Sequence, residues 1–144
     1  IDRKKNLVKT LNGEYIALEK LESIYRSIAI VSNVCVFVAE GRNKPIAIVV
    51  PNEPALGDLA VNYGIHGLTL EELCHNTTLN RLVVDEMQAC GRKGGLGGIE
   101  LIEGVVLSKE EWTPENGLVT PSQKLHRKNI VEKYKVQIKI AYDD

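Results

Sequence analysis

Ile1-Asp2-Arg3-Lys4-Lys5-Asn6-Leu7-Val8-Lys9-Thr10-Leu11-Asn12-Gly13-Glu14-Tyr15-Ile16 is the stretch on which the reading of this 144-residue chain turns. Four cations, Arg3, Lys4, Lys5 and Lys9, fall within its first nine positions. Leu7 and Val8 suit a short strand, and Asn12-Gly13 is the dipeptide that reverses a hairpin. Such a hairpin carries positive charge at its lip. Arg3 can grip phosphate or carboxylate oxygens bidentately, while Lys5 and Lys9 act as less directional point charges. Taken alone, the cluster reads first as a solvated basic turn.

A second stretch far along the chain changes that weighting. Asn116-Gly117-Leu118-Val119-Thr120-Pro121-Ser122-Gln123-Lys124-Leu125-His126-Arg127 puts Lys124 on a loop held by Pro121, immediately before a predicted helix. An arbitrary loop lysine is an ordinary exposed side chain. A second cationic segment makes it a candidate for the same anionic ligand.

Composition bounds the rest. With 44% hydrophobic residues the chain can bury a core of its own, as a single α+β domain. The 18 basic and 19 acidic residues leave a net charge of −1, which gives no reason to expect a nucleic-acid partner. No apolar run reaches the roughly 18 residues that a membrane span needs. Cys35, Cys74 and Cys90 are odd in number and too widely spaced for a zinc knuckle or a redox pair, so they are expected as reduced thiols of an intracellular protein. His66, His75 and His126 lack metal-ligand spacing, and no metal site is expected. The Ile1 start, without an initiator Met, suggests a piece of a larger protein.

Taken in order, Leu18, Leu21, Ile24, Tyr25 and Ile28 predict an amphipathic helix over 17–27, with Glu19 and Glu22 near its positive end. Residues 34–39 and 46–50 read as antiparallel strands, and Pro51 and Pro54 close the second. A short helix follows around Leu56, Leu59 and Ala60. Thr69-Leu70-Glu71-Glu72 has the form of a capping box, and Leu79, Leu82, Val83, Met87 and Cys90 mark a longer helix that Asn76 starts. The glycines of 91–98 lack the order of a phosphate loop and read as a mobile linker. A third strand is expected within 99–107, Trp112 is expected to cap the core, and one closing helix carries Leu125, Ile130, Val131, Tyr134 and Ile138. Around that helix, Lys128, Lys133, Lys135 and Lys139 make a basic face, ordinarily solvated but able to meet phosphates or anionic lipid. The expected architecture is a basic hairpin and a small three-stranded sheet, mixed or antiparallel, covered by helices on one side, with a helical insertion between its second and third strands.

The two cationic stretches together resemble the C-terminal domain of the adenylate-forming enzymes. Asp2-Arg3-Lys4-Lys5-Asn6-Leu7-Val8-Lys9 followed by Asn12-Gly13-Glu14-Tyr15-Ile16-Ala17-Leu18-Glu19-Lys20-Leu21-Glu22 is similar to the long-chain fatty acyl-CoA synthetases, most closely the fungal branch. The resemblance implies a C-terminal lid over 1–144, with hinge and hairpin at 1–16, helix and two strands at 17–51, a helical insertion at 52–98, and strand, lysine loop and closing helix at 99–144. It implies that Lys124 serves acyl-adenylate formation and that Lys9 enters the site for thioester formation. Arg3 would contact the nucleotide's ribose and phosphate, Gly13 would line the pantetheine tunnel, and Lys5 would be the hinge. The family's commoner form has Ser-Gly before its lysine, where this chain has Ser122-Gln123.

ATP, CoA and Mg2+ would then be bound mainly with an N-terminal adenylation domain, the lid's partner, and a long-chain fatty acid would be the acid. The resemblance further implies an intracellular enzyme, peripheral on the endoplasmic reticulum, lipid droplets or other cytoplasmic-face membranes. The competing reading is a non-catalytic α+β binding module that uses the basic hairpin for an anionic partner.

Overall fold

The computed structural model describes residues 7–9, 15–39 and 44–143. The hairpin predicted at the start of the chain consists of β1 (Leu7–Lys9) and β2 (Tyr15–Ala17), antiparallel with Val8 opposite Ile16. Its turn, with Asn12 and Gly13, lies outside the described residues, as do Arg3 and Lys5. Along β2, Tyr15 faces solvent and Ile16 is fully buried, the alternation expected of a strand lying on a core. Ala17 both ends β2 and precedes the first turn of α1 (Leu18–Tyr25), so hairpin and helix form one uninterrupted piece. Helix α1 buries Leu18, Leu21, Glu22 and Tyr25, a stripe at helical spacing.

The main sheet has the order β3-β4-β5. Strand β3 (Val31–Phe37) runs antiparallel to β4 (Ile46–Pro51), which runs parallel to β5 (Gly104–Leu107), so the sheet is mixed. Three helices fill the crossover between β4 and β5: α2 (Glu53–Asn62), α3 (Leu70–Cys74) and α4 (Thr77–Lys93). Each starts on a side-chain cap. Asn52 accepts from the Ala55 N–H, Thr69 and Glu72 close the predicted capping box, and Asn76 accepts from the Leu79 N–H.

Helices on one side of the sheet were the expectation; the structure has them on both. Ala47 and Val49 of β4 pack with α1, α2, α3 and α4, whereas Ile46, Ile48 and Val50 pack with Trp112, Ile130, Tyr134, Ile138 and Tyr142 from the closing segment. Every residue of β4 is apolar, so neither pleat face tolerates water and both must be covered. The closing helix is also two helices, α5 (Arg127–Lys133) and α6 (Lys135–Asp143). They part at Tyr134, whose hydroxyl lies 2.5 Å from Ser108 Oγ and accepts from Trp112 Nε1 at 3.3 Å. Trp112 is buried in this second core, as expected.

The glycine-rich stretch differs from the expected linker at its start. Helix α4 continues through Gly91, where a Cβ would lie 2.9 Å from Leu101 Cδ2, and at Gly94 a Cβ would lie 2.8 Å from Ile24 Cγ2. These positions let the end of α4 press against α1 and the returning chain. A single 3-10 turn (Gly98–Glu100) follows, so the strand predicted within 99–107 shortens to Gly104–Leu107.

Three weakly acidic side chains are buried, Tyr25 and Cys74 in the first core and Cys35 in the second. Burial pushes Cys35 and Tyr25 each up to about 12, and Cys74 up to about 11. The folded chain therefore keeps protons that the unfolded chain releases above pH about 9 to 10, so this contribution is full below that range and is lost as pH rises toward 12. Resistance to denaturant should fall between pH 9 and 11. A rise over that interval, measured by urea unfolding, would contradict this assignment.

Candidate functional site

Lys124 projects from a tight reversal of the chain. Val119 and Leu125 pair as an antiparallel bridge, and the His126 N–H donates to the Leu118 carbonyl at 2.9 Å. At the tip Thr120 holds both limbs. Its N–H donates to the Lys124 carbonyl at 2.8 Å, its carbonyl accepts from the Gln123 N–H at 2.8 Å, and its Oγ1 accepts from the Lys124 N–H at 3.1 Å. Pro121 occupies the second position of this turn, where its fixed φ suits the reversal. Gln123 then takes φ +67°, the left-handed region in which a side chain is strained and glycine is not. Gln123 adopts a conformation that glycine, the residue the resemblance implies here, would take freely.

The side chain of Lys124 is exposed and has no hydrogen bond or ion pair among the described residues. Its ammonium is thus free for an anion brought from outside the domain, while its backbone is pinned. Lys9 ends β1 opposite Tyr15. Arg3, Lys5 and Gly13, the other predicted site residues, lie outside the described residues, so only Lys124 of the five has a described side chain.

Two site-forming residues escaped the sequence reading. Glu22 was expected near the positive end of a helix and is instead 3% exposed, inside the domain. Arg127 grips it with both arms, Nη1 to Oε2 at 2.5 Å and Nη2 to Oε1 at 3.1 Å. Together they close the outer edge of β3 at Val36. Glu22 Oε2 accepts the Val36 N–H at 2.8 Å, and Arg127 Nη1 donates to the Val36 carbonyl at 2.7 Å. The pair thereby stands in for a neighbouring strand at an otherwise open edge. One turn along α1, Arg26 donates to the Val34 carbonyl at 3.4 Å, continuing the same seal. The available signal was position: Glu22 falls between Leu21 and Tyr25 in the apolar stripe of α1, and Arg127 stands three residues before the buried Ile130 of α5.

This arrangement supplies no nucleophile. Cys35 is fully buried beside Arg127, with Nη1 to Sγ at 3.4 Å, and burial holds it as the thiol. Among the described residues no three His, Cys, Asp or Glu converge to hold a metal ion. A cleft of about 390 Å³ runs along β5 between α4 and α6, lined by Asn80, Arg81, Val106, Gln137 and Ile140, and Lys124 is not part of it. What the lysine loop offers is a single mobile cation on a fixed backbone. Gln123→Gly should leave the fold intact and raise its stability by up to about 1 kcal/mol, because it relieves the left-handed backbone. A loss of more than that in urea unfolding would show that the glutamine side chain, not the backbone, sets the turn.

No protein-family model matches the chain. Among curated proteins it is 53% identical over 146 residues to long-chain-fatty-acid–CoA ligase 1 of Schizosaccharomyces pombe, a match that covers 99% of this chain and 21% of that protein. It is 52% identical over 146 residues to long-chain-fatty-acid–CoA ligase 4 of Saccharomyces cerevisiae, covering all of this chain and 21% of that protein. Among solved structures it superposes on the A domain of the carboxylic acid reductase from Segniliparus rugosus, in complex with AMP and a co-purified carboxylic acid, with TM-score 0.78 and 26% identity over 98% of this chain and 20% of that one. The chain thus spans about a fifth of the length of the relatives it matches. The chain is thus similar, along its whole length, to a segment of the fungal long-chain-fatty-acid–CoA ligases, and it shares its fold with part of a solved adenylation domain.

Proposed function

We propose that this chain is the mobile C-terminal lid of an AMP-forming long-chain fatty acid:CoA ligase, and that Lys124 serves the first of two half-reactions. The observation that carries this reading is an exposed lysine, without a partner among the described residues, on a backbone-pinned turn. In the first half-reaction a fatty-acid carboxylate attacks the α-phosphate of ATP, giving acyl-adenylate and pyrophosphate. Both reactants are anions, and a cation bridging them lowers the barrier as charge builds on the phosphoryl oxygens. Lys124 is placed to be that cation once the lid closes. In the second half-reaction the CoA thiol attacks the acyl carbonyl and AMP leaves.

On the same reading the lid turns between the two steps about Lys5, bringing Lys9 and the Gly13 loop toward the thioester-forming site while Arg3 holds the nucleotide. The likeness to a domain solved with AMP and a carboxylic acid supports use of an adenylate. Mg2+ would travel with the ATP phosphates. On this reading the ion is held by the nucleotide's phosphates together with the rest of the ligase. The full enzyme is proposed to be intracellular and peripheral on cytoplasmic-face membranes, which the exposed Val136 and Ile140 of α6, beside Lys135 and Lys139, would suit.

In the full-length ligase, Lys124→Ala should lower acyl-adenylate formation by roughly 100- to 1,000-fold, measured as acid-dependent pyrophosphate exchange, the scale of losing one preorganised charge-stabilising donor. Thioester formation from supplied acyl-adenylate should be retained. Unchanged pyrophosphate exchange would reject the role.

A further inference from the structure

We propose that Glu22 and Arg127 are positioning residues that fix the lysine loop to α1 and the edge of β3, and so set the bearing of Lys124. This rests on the lid reading above and specifies what orients its lysine. The pair lies close along the chain to the lysine loop and to the end of β2. Arg127 follows Lys124 by three residues, at most about 10 Å of extended chain. Glu22 stands four residues into α1 from Leu18, about 6 Å along the helix from the end of β2. No other ion pair among the described residues joins the segment after the lysine loop to the segment after the hairpin.

The returning limb of the lysine loop is tied down in three successive steps. Lys124 is bonded to Thr120, His126 to Leu118, and Arg127 to Glu22 and Val36. The first two ties are internal to the loop and only shape it. The third ties the loop to the sheet edge and α1, while Leu118, Val119 and Ile130 hold its base in the second core. Without that tie the base would stay packed and the limb carrying Lys124 would lose its directional link to α1.

The chemistry of the pair argues for positioning over simple stability. A buried ion pair must offset the desolvation of both charges, and packed apolar residues often hold a core as well or better. Here the arrangement also leaves Arg127 Nε buried and without a hydrogen-bond partner among the described residues. What the two-armed contact supplies, and an apolar contact does not, is direction. A planar fork meeting a carboxylate fixes both the distance and the rotation of the chain that carries it. Arg127→Lys keeps the charge and loses the fork. Glu22→Gln keeps an acceptor for Val36 and loses the charge.

The test is a double-mutant cycle in the full-length ligase, combining Arg127→Lys with Lys124→Ala and reading both half-reactions together with the melting temperature. Arg127→Lys alone should lower pyrophosphate exchange 10- to 100-fold and thioester formation from supplied acyl-adenylate less than threefold. In the Lys124→Ala background the same change should have no further effect on exchange, because its influence passes through the lysine. Glu22→Gln should reproduce the pattern. A merely structural lesion would instead lower both half-reactions together and add to the Lys124→Ala loss, and that result would overturn the proposal. Normal exchange in Arg127→Lys, with Lys124→Ala impaired, would overturn it while leaving the lid reading in place. Normal exchange in Lys124→Ala would remove the lid reading and this proposal with it.

Discussion

Val36 lies on the outer edge of a three-stranded sheet, and the Glu22–Arg127 pair closes that edge. An open edge strand presents unpaired donors and acceptors, and a domain this small has few elements with which to cover them. Here one carboxylate takes the N–H and one guanidinium meets the carbonyl, while the two bind each other. The consequence is topological. Residues 105 positions apart in the chain become neighbours, and the helix that continues the hairpin is joined to the helix that follows the lysine loop. Burial works against the charge on Arg127, yet its hydrogen bonds to Glu22, with Cys35 beside it, more than compensate and the guanidinium is held more firmly charged than usual.

The second constraint is β4. An all-apolar central strand obliges the sheet to be covered twice, and the chain meets this by sending its middle third to one face and its last third to the other. The lysine loop belongs to the last third, so its place follows from the covering of the second face. Tyr134 sharpens the arrangement. By meeting Ser108 and Trp112 it breaks the closing helix in two, and α5 is left short, directed by Arg127 at one end and by Tyr134 at the other. The lysine loop is thereby braced on both sides.

Much of this was legible in the sequence, and the exceptions share a cause. Hairpin, α1, the β3–β4 pair, the capping box at Thr69 and the start of α4 at Asn76 all follow from local spacing and local chemistry, which a sequence displays directly. The two-sided cover, the break at Tyr134 and the helical Gly91 depend on what arrives from elsewhere in the chain. Glu22 illustrates the limit. A glutamate inside an apolar stripe is a visible anomaly, but its partner stands on a distant element, and spacing alone does not connect them. The roles of Arg3, Lys5, Lys9 and Gly13 came from resemblance to a family, and their spacing alone does not fix them. Gln123 is the converse case: a departure from the family's glycine that the sequence flags, and whose meaning, a left-handed backbone at the tip, needs the fold.

On the proposed reading, a pinned backbone offers the cation of Lys124 to a centre built mainly by another part of the polypeptide. The most direct test of that reading is amine footprinting of Lys124 in the full-length ligase. Labelling of Lys124 by a small amine-reactive reagent should be strong in the free enzyme, suppressed when a non-hydrolysable acyl-adenylate analogue is bound, and restored when CoA is added. Equal labelling in all three states would mean that the lysine never enters the adenylation centre, and would contradict the account.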